Sequence, residues 1–369
     1  MIYRAIGIMS GSSLDGLDIA FTEFTETGGK WTFEIIAADC IDYSNDWLQQ
    51  LGTATSLPAM DYQLLHAAYG HYIGEQVNKF IDRHQLHHKV HLIASHGHTT
   101  FHLPGKKMTA QLGDGAAIAA KTQLPVVSDL RALDVAFGGQ GAPIVPIGEK
   151  LLFAGYDYFL NLGGIANISI TTAPGHGPGF FAFDVCAANR VLNMLAAEAG
   201  QKYDEGGKIA AAGKINEALL NQLNELEYYG KPYPKSLANS FGTDTIYPMI
   251  KKAGIATADA LQTYTEHICV QVMNALIGHG PRTTGDRCSM LVTGGGALNT
   301  FLIEQLKSVL AEKNIDLLVP EEKIIQYKEA VIMALIGILR WREEANVLPS
   351  VTGALQASIG GALWLGSEA

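Results

Sequence analysis

The stretch Ile6-Gly7-Ile8-Met9-Ser10-Gly11-Ser12-Ser13-Leu14-Asp15-Gly16-Leu17-Asp18-Ile19-Ala20-Phe21 sets two apolar runs around a polar turn of Gly, Ser and Asp. Apolar runs of this length bounded by turn residues read as strands, so the pattern predicts a β-hairpin. Gly11 and Gly16 let the backbone approach a ligand closely. Successive N–H groups in such a turn form a concave anion site, and Asp15 and Asp18 beside it suit a hydrated Mg²⁺. An isolated turn of this kind would be an ordinary hairpin loop, but this one has counterparts.

The second half of the chain repeats the layout. Tyr158-Phe159-Leu160-Asn161-Leu162-Gly163-Gly164-Ile165-Ala166-Asn167-Ile168-Ser169-Ile170 is again strand, glycine turn, strand. Met290-Leu291-Val292-Thr293-Gly294-Gly295-Gly296-Ala297-Leu298-Asn299 gives strand, triple-glycine turn, helix. No G-x-x-x-x-G-K-[ST], G-x-G-x-x-G or G-x-S-x-G occurs, which sets aside three common nucleotide and nucleophile signatures. Two hairpins and a later triple-glycine turn suit a nucleotide clamped between two similar domains. The hairpins would hold its phosphates and the triple glycine would lie flat against its adenosine.

The 369 residues exceed what a single core usually supports, so two domains are expected. Hydrophobic residues make up 48% and charged residues 17%, the balance of a globular chain with a large core. The 40 glycines fall in short clusters between apolar runs, which is α/β turn usage. A net charge of -10 without a basic cluster argues against a nucleic-acid partner. It leaves phosphate ligands open, since backbone amides and Mg²⁺ hold them without a basic surface. No apolar stretch reaches membrane-span length and no signal peptide is seen, so a cytoplasmic location without membrane attachment is expected. Cys40, Cys186, Cys269 and Cys288 form no C-x-x-C and read as reduced.

In order along the chain, a strand over about 31–42 precedes a helix over about 60–85. A strand over 90–94 then ends in Ser95-His96-Gly97-His98-Thr99-Thr100-Phe101-His102. Polar residues at such a strand end lie where α/β proteins place ligands, which makes Ser95 and His98 candidate sugar contacts. The seven histidines between 84 and 102 span a helix end, a strand and a loop, so no single face collects them for a metal. A strand over 124–127 leads to Ser128-Asp129-Leu130-Arg131. Asp129 and Arg131 either pair with each other or face the cleft. The Gly/Pro-rich segment Phe137–Pro146 marks a boundary or hinge. A strand over 180–183 ends in Asp184, followed by a helix over 187–199. Further helices cover about 256–278 and 327–344, the latter with Glu329 near its start. The segment 352–366 reads as helical.

With these residues in view, the chain resembles the anhydro-N-acetylmuramic acid kinase family, within the acetate/sugar kinase, Hsp70 and actin superfamily. The matching segments run in order: MSGSSLDGLD (9–18), SHGHT (95–99), SDLRALDVAFGGQGAPIVP (128–146), NLGGIANIS (161–169), Asp184 with Asn189, YDEGGKIA (203–210), PKS (234–236), VTGGGALN (292–299) and EAVIMALIG (329–337). The resemblance implies an α/β fold of two actin-like domains, each a mixed sheet flanked by helices, with ATP in the interdomain cleft. The domains expected are 1–135 with a C-terminal helix 352–369, and 136–351.

The family opens the 1,6-anhydro ring of its sugar with water and phosphorylates O6 with MgATP, in peptidoglycan recycling. By the resemblance, Gly11, Ser12, Ser13, Leu14, Asp15, Gly16, Leu17 and Asp18 form the ATP phosphate loop. Gly163, Gly164, Asn167, Gly294, Gly295 and Gly296 complete the ATP site, and Asp15 holds Mg²⁺ through water. Ser95, His98, Asp129 and Arg131 contact the sugar. Asp184 is the catalytic base, since a carboxylate between Phe183 and Val185 is partly desolvated; its other reading is a cap on the following helix. Glu329 binds substrate or orients water, or else faces solvent. Two segments depart from the family pattern, Val185-Cys186-Ala187-Ala188 and Leu237-Ala238-Asn239-Ser240. Another amino-sugar kinase of the same fold, or a non-catalytic ATP-responsive binding domain, therefore stays open. The expected partners are ATP and a small anhydro amino sugar, and a homodimer is left open.

Overall fold

In a computed structural model of the chain, residues 1–11, 14–172, 179–233, 235–238, 240–277 and 287–367 are described. The chain divides into two compact units, Met1–Ala154 with Tyr327–Ala369, and Gly155–Gln326. The first unit holds strands β1 (Ile2–Ser10), β2 (Leu17–Thr27), β3 (Lys30–Ile41), β4 (Leu92–Leu103), β5 (Met108–Leu112) and β6 (Val126–Ser128). The second holds β7 (Tyr158–Leu162), β8 (Ile165–Thr171), β9 (Phe180–Ala187), β10 (Cys288–Thr293) and β11 (Ile315–Leu318). The last strand, β12 (Ala362–Trp364), joins the first sheet.

The sheet orders are β12-β6-β4-β1-β2-β3, with β5 on β4, and β11-β10-β7-β8-β9. In each unit an antiparallel meander of three strands adds two parallel strands beside its first member: β4 and β6 in one, β10 and β11 in the other. The expected α/β class, with two mixed sheets of like strand order, is what the chain forms. Each meander starts at the hairpin whose turn drew attention in the sequence. Ser10 pairs with Leu17 at the end of one, Leu162 with Ala166 at the end of the other.

Apolar side chains cover both faces of each sheet. On the first, Ile6, Ile8 and Ile93 pack with Tyr69, Ile73 and Phe80 of the helix Ala59–His84. On the opposite face Ala5, Ala20 and Val127 meet Ala330, Val331 and Ala334 of the helix Glu322–Trp341. That helix lies so close that a Cβ on Gly7 would sit 1.8 Å from the Ala330 carbonyl oxygen, so only glycine fits there. The two compact units divide at 154/155 and 326/327, the second division falling within this helix.

Three local readings are corrected. The segment 352–366 is not a helix. The turn Pro349–Thr352 stops at Gly353, Gly361 takes a φ of +110°, and the chain then pairs antiparallel with β6. Glycines at 353, 360 and 361 weaken helix formation, and β6 offers an unpaired edge. The SHGHT residues are strand rather than a loop beyond one. Ser95 pairs with Ile8 and His98 with Ser10, the ladder absorbing an irregularity in between. Likewise β9 does not end at Asp184 but runs on to Ala187 across a β-bulge, which adds one residue relative to β8.

Candidate functional site

In the first unit the Leu14 amide donates to the Gly11 carbonyl at 3.2 Å and Leu14 takes a φ of +60°, closing the β1–β2 turn. Ser12 and Ser13 lie outside the described residues. Asp15 is exposed, Gly16 and Leu17 are buried, and Asp18 is half-buried on β2 opposite Cys40 of β3. The Cys40 thiol donates to the Asp18 carboxylate. Burial, with the charges of Glu329 and Asp15, raises the Asp18 pKa despite that bond. Burial and Asp18 in turn push Cys40 up to about 12. Glu329 is half-buried, and lies well inside its helix, which starts at Glu322 rather than near 327.

The sugar-contact candidates separate. The Ser95 hydroxyl is buried without a hydrogen-bond partner among the described residues. His98 Nδ1 lies 3.2 Å from the Ser10 hydroxyl, which is 2.9 Å from the Tyr43 hydroxyl, itself 2.6 Å from that of Tyr69. Burial lowers the His98 pKa, so this chain of polar groups holds a neutral imidazole. Asp129 is exposed and accepts from the Ser128 hydroxyl at 2.8 Å. Arg131 does not bond to it. Its Nε donates to His96 Nε2 at 2.7 Å and its Nη1 to the Gly141 carbonyl at 2.6 Å. Burial lowers the Arg131 pKa to about 10, with Glu329 and Asp134 opposing, so the guanidinium stays charged at neutral pH.

In the second unit the β7–β8 turn and the triple-glycine turn meet. The Gly163 carbonyl accepts from the Asn189 amide at 3.0 Å and the Gly164 carbonyl from the Ala188 amide at 2.9 Å, joining the turn to the helix Asn189–Glu198. Asn189 Nδ2 donates to the Leu162 carbonyl at 2.8 Å. A Cβ on Gly294 would lie 2.5 Å from Asn161 Oδ1, and one on Gly296 would lie 2.7 Å from Leu162 Cβ. Gly294 takes a φ of +79°. Backbone packing therefore explains two of the three glycines. Around Gly295 a Cβ would meet only Asn189 Nδ2, at an ordinary 3.6 Å.

Asn167 pairs with Asp184 across β8 and β9. Asp184 is half-buried. Its Oδ2 accepts from the Leu237 amide at 2.8 Å, its amide donates to the Lys235 carbonyl at 3.3 Å, and its carbonyl accepts from the Tyr228 hydroxyl at 2.6 Å. The helix after it has Ala188 at its cap with no side-chain bond, so the capping role considered for Asp184 is overturned. The bulge keeps the carboxylate inside the strand, where it serves the 235–237 segment instead. Burial raises its pKa against the lowering effect of the Leu237 amide. A carboxylate whose pKa is raised by burial is a stronger base than a solvated one. Lys235 Nζ sits 4.8 Å from the Tyr228 ring centroid and 5.6 Å from that of Phe183, cation–π contacts that hold the same segment. Pro234 and Asn239 lie outside the described residues.

Sequence reasoning missed His96, Tyr43, Tyr69, Cys40 and Tyr228. His96 stood in a quoted motif, but nothing local told it apart from its histidine neighbours. The others carry no motif: strand register brings Cys40 to Asp18, while Tyr43 past β3, Tyr69 on the helix Ala59–His84 and Tyr228 on the turn Glu227–Gly230 are recruited by tertiary packing. Among the described residues no group of three or more His, Cys, Asp or Glu could by itself hold a metal ion. No described helix is long and apolar enough to cross a membrane.

A family model described as anhydro-N-acetylmuramic acid kinase matches residues 3–366. Proteins of that name are similar along nearly their whole lengths. The one from Streptomyces coelicolor (strain ATCC BAA-471 / A3(2) / M145) is 34% identical, covering 99% of this chain and 94% of its own. The one from Francisella tularensis subsp. novicida (strain U112) is 32% identical over 95% of each. That from Vibrio parahaemolyticus serotype O3:K6 (strain RIMD 2210633) is 31% identical over 96% of each.

Proposed function

The chain belongs to the anhydro-N-acetylmuramic acid kinase family, and from that premise we propose that it opens the 1,6-anhydro ring of anhydro-N-acetylmuramic acid with water and moves the γ-phosphoryl group of ATP to O6. The product is N-acetylmuramic acid 6-phosphate, a step of peptidoglycan recycling. Water attacks the anomeric carbon and gives its proton to Asp184. The C1–O6 bond breaks, O6 takes up the γ-phosphoryl group, and ADP leaves. The observation that carries the reading is the Asp184 carboxylate: half-buried, raised in pKa by burial, and held by a backbone amide, with no ion pair among the described residues.

The other assignments extend this reading. Phosphoryl transfer depends on positioning and charge neutralisation. The Gly11–Asp18 turn, the 163–164 turn with Asn167, and Gly294–Gly296 are assigned to ATP. Asp18 and the exposed Asp15 would hold a hydrated Mg²⁺ through water, in company with the nucleotide phosphates. When bound, Mg²⁺ would offset charge on the phosphates. Ser95 brings a buried hydroxyl with no partner among the described residues, His98 a fixed neutral imidazole, and Arg131 a cation toward the sugar, with Asp129 at the exposed margin. Glu329 is assigned to substrate or water. The four free cysteines suit a reducing cytoplasm.

The test is ADP release from MgATP with and without the anhydro sugar, run in ¹⁸O-water with mass analysis of the product. ADP formation that depends on the sugar, with one ¹⁸O in the sugar phosphate, is expected. Sugar-independent ADP, or a phosphorylated sugar with no label from water, would sink the reading. Other amino sugars in parallel decide the substrate.

A further inference from the structure

We propose that His96 is a positioning residue for Arg131, a neutral imidazole of fixed tautomer that aims the guanidinium at the sugar. His96 is buried on β4 with both ring nitrogens occupied. Nε2 faces the Arg131 Nε–H at 2.7 Å. A guanidinium only donates, so Nε2 must be the bare, accepting nitrogen. Nδ1 lies 2.8 Å from the Gly97 carbonyl, which only accepts, so Nδ1 carries the hydrogen. Each partner dictates one nitrogen, and together they leave one tautomer and no place for a second proton. Burial and the adjacent Arg131 charge push its pKa down to about 3, in keeping with that geometry.

The second anchor is as firmly held. Arg131 Nη1 donates to the Gly141 carbonyl at 2.6 Å. The Gly141 amide in turn donates to buried Asp134 Oδ2 at 2.8 Å, and Asp134 Oδ1 accepts from the Thr352 hydroxyl at 2.8 Å. A guanidinium is planar, so fixing Nε and Nη1 from two different segments fixes its plane and the direction of Nη2. Nη2 has no hydrogen-bond partner among the described residues, while the Glu329 carboxylate acts on the same group. The donors left for a ligand are therefore aimed by His96 and Gly141, and His96 itself never touches the ligand. This inference rests on the reading of Arg131 as a sugar contact.

Two variants separate aiming from packing. In His96→Asn the side-chain amide keeps the Gly97 bond but falls short of Arg131. In His96→Gln the carbonyl reaches the position of Nε2. His96→Asn should raise the sugar KM roughly tenfold, the scale of one hydrogen bond to a charged group, with the ATP KM unchanged. His96→Gln should restore most of it. Adding His96→Asn to Arg131→Lys should cost little beyond Arg131→Lys alone. An unchanged sugar KM in His96→Asn, a His96→Gln as poor as His96→Asn, or additive losses would each overturn the proposal. The ¹⁵N resonances of His96 in the wild-type protein give a readout independent of turnover. They should show a neutral, Nδ1-protonated ring throughout pH 5.5–8.5, and titration in that range or the Nε2-protonated form overturns the proposal. If the wild type made no sugar-dependent ADP, the kinase reading would fall while these resonances still decided the His96–Arg131 arrangement.

Discussion

Asp184 is the residue proposed as the base, and its environment sets what changing it should do. Asparagine keeps the size and can still accept from the Leu237 amide, so Asp184→Asn should fold as the wild type does. It cannot take a proton, and general-base catalysis is worth roughly 10²–10⁴-fold, so single-turnover ring opening should slow by that factor while both ligands still bind. The pH dependence has a definite sign. The base works only when ionised and burial raises its pKa, so the rate should fall as pH drops through a value above the ordinary aspartate range, and the variant should lose that limb. A variant within about threefold of wild type would move the base elsewhere, first to Glu329. Capping does not compete as an explanation, because Asp184 makes no bond to the helix that follows.

Elements turn residues into sites by bringing turns together, and the triple glycine shows how unequal neighbouring positions become. Gly294 has a φ of +79° and no room for a Cβ beside Asn161 and the Leu162 backbone. Gly294→Val should therefore cost roughly 2 kcal/mol or more of stability through strain and overpacking. Gly295 has no such neighbour, only Asn189 Nδ2 at 3.6 Å. Gly295→Val should melt close to wild type and yet bind ATP less tightly, because the open side of that turn is the one assigned to the nucleotide. Urea unfolding and titration calorimetry on the two variants check both halves of the contrast. Equal ATP affinity in wild type and Gly295→Val would take this turn out of the nucleotide site. The β1–β2 and β7–β8 hairpins each begin their meander, with the turn beside the first of the parallel strands.

At the scale of the whole molecule, each unit buries a histidine that must stay neutral. His96 sits between Arg131 and Gly97 in the first. His267 in the second lies 2.6 Å from Asn224 Oδ1 and 2.9 Å from the Tyr229 hydroxyl. Burial pushes both pKa values down to about 3. An unfolded histidine titrates near 6.5, so below that pH the unfolded chain binds protons that the folded chain refuses, and stability falls. The contribution is complete above pH 6.5 and is lost progressively toward pH 3. Between pH 7 and 4.5 each histidine should cost roughly 2–3 kcal/mol. Urea midpoints at the two pH values should differ accordingly, and replacing His267 with Gln should flatten part of the slope. A midpoint unchanged by acid would contradict the buried, neutral assignment.

Sequence alone determined the features that depend on short-range pattern. Apolar runs around Gly-rich turns identify the hairpins at 10–17 and 162–166, the triple-glycine strand end and the α/β class, because turn chemistry and strand periodicity act within a few residues. The ordered motifs also identify the family. The tertiary structure alone decided which groups meet. Asp18 finds Cys40 through the β2–β3 register, and Glu329 joins them because its helix packs on the sheet face at Gly7. Arg131 passes over Asp129 for His96 and Gly141, and Thr352 reaches back to Asp134. A bulge in β9 sets where Asp184 points, and an open edge on β6 turns an apparent C-terminal helix into a strand. Register, bulges and edge pairing depend on contacts between residues far apart in the chain, where local spacing carries no information about which partners the packing will bring together.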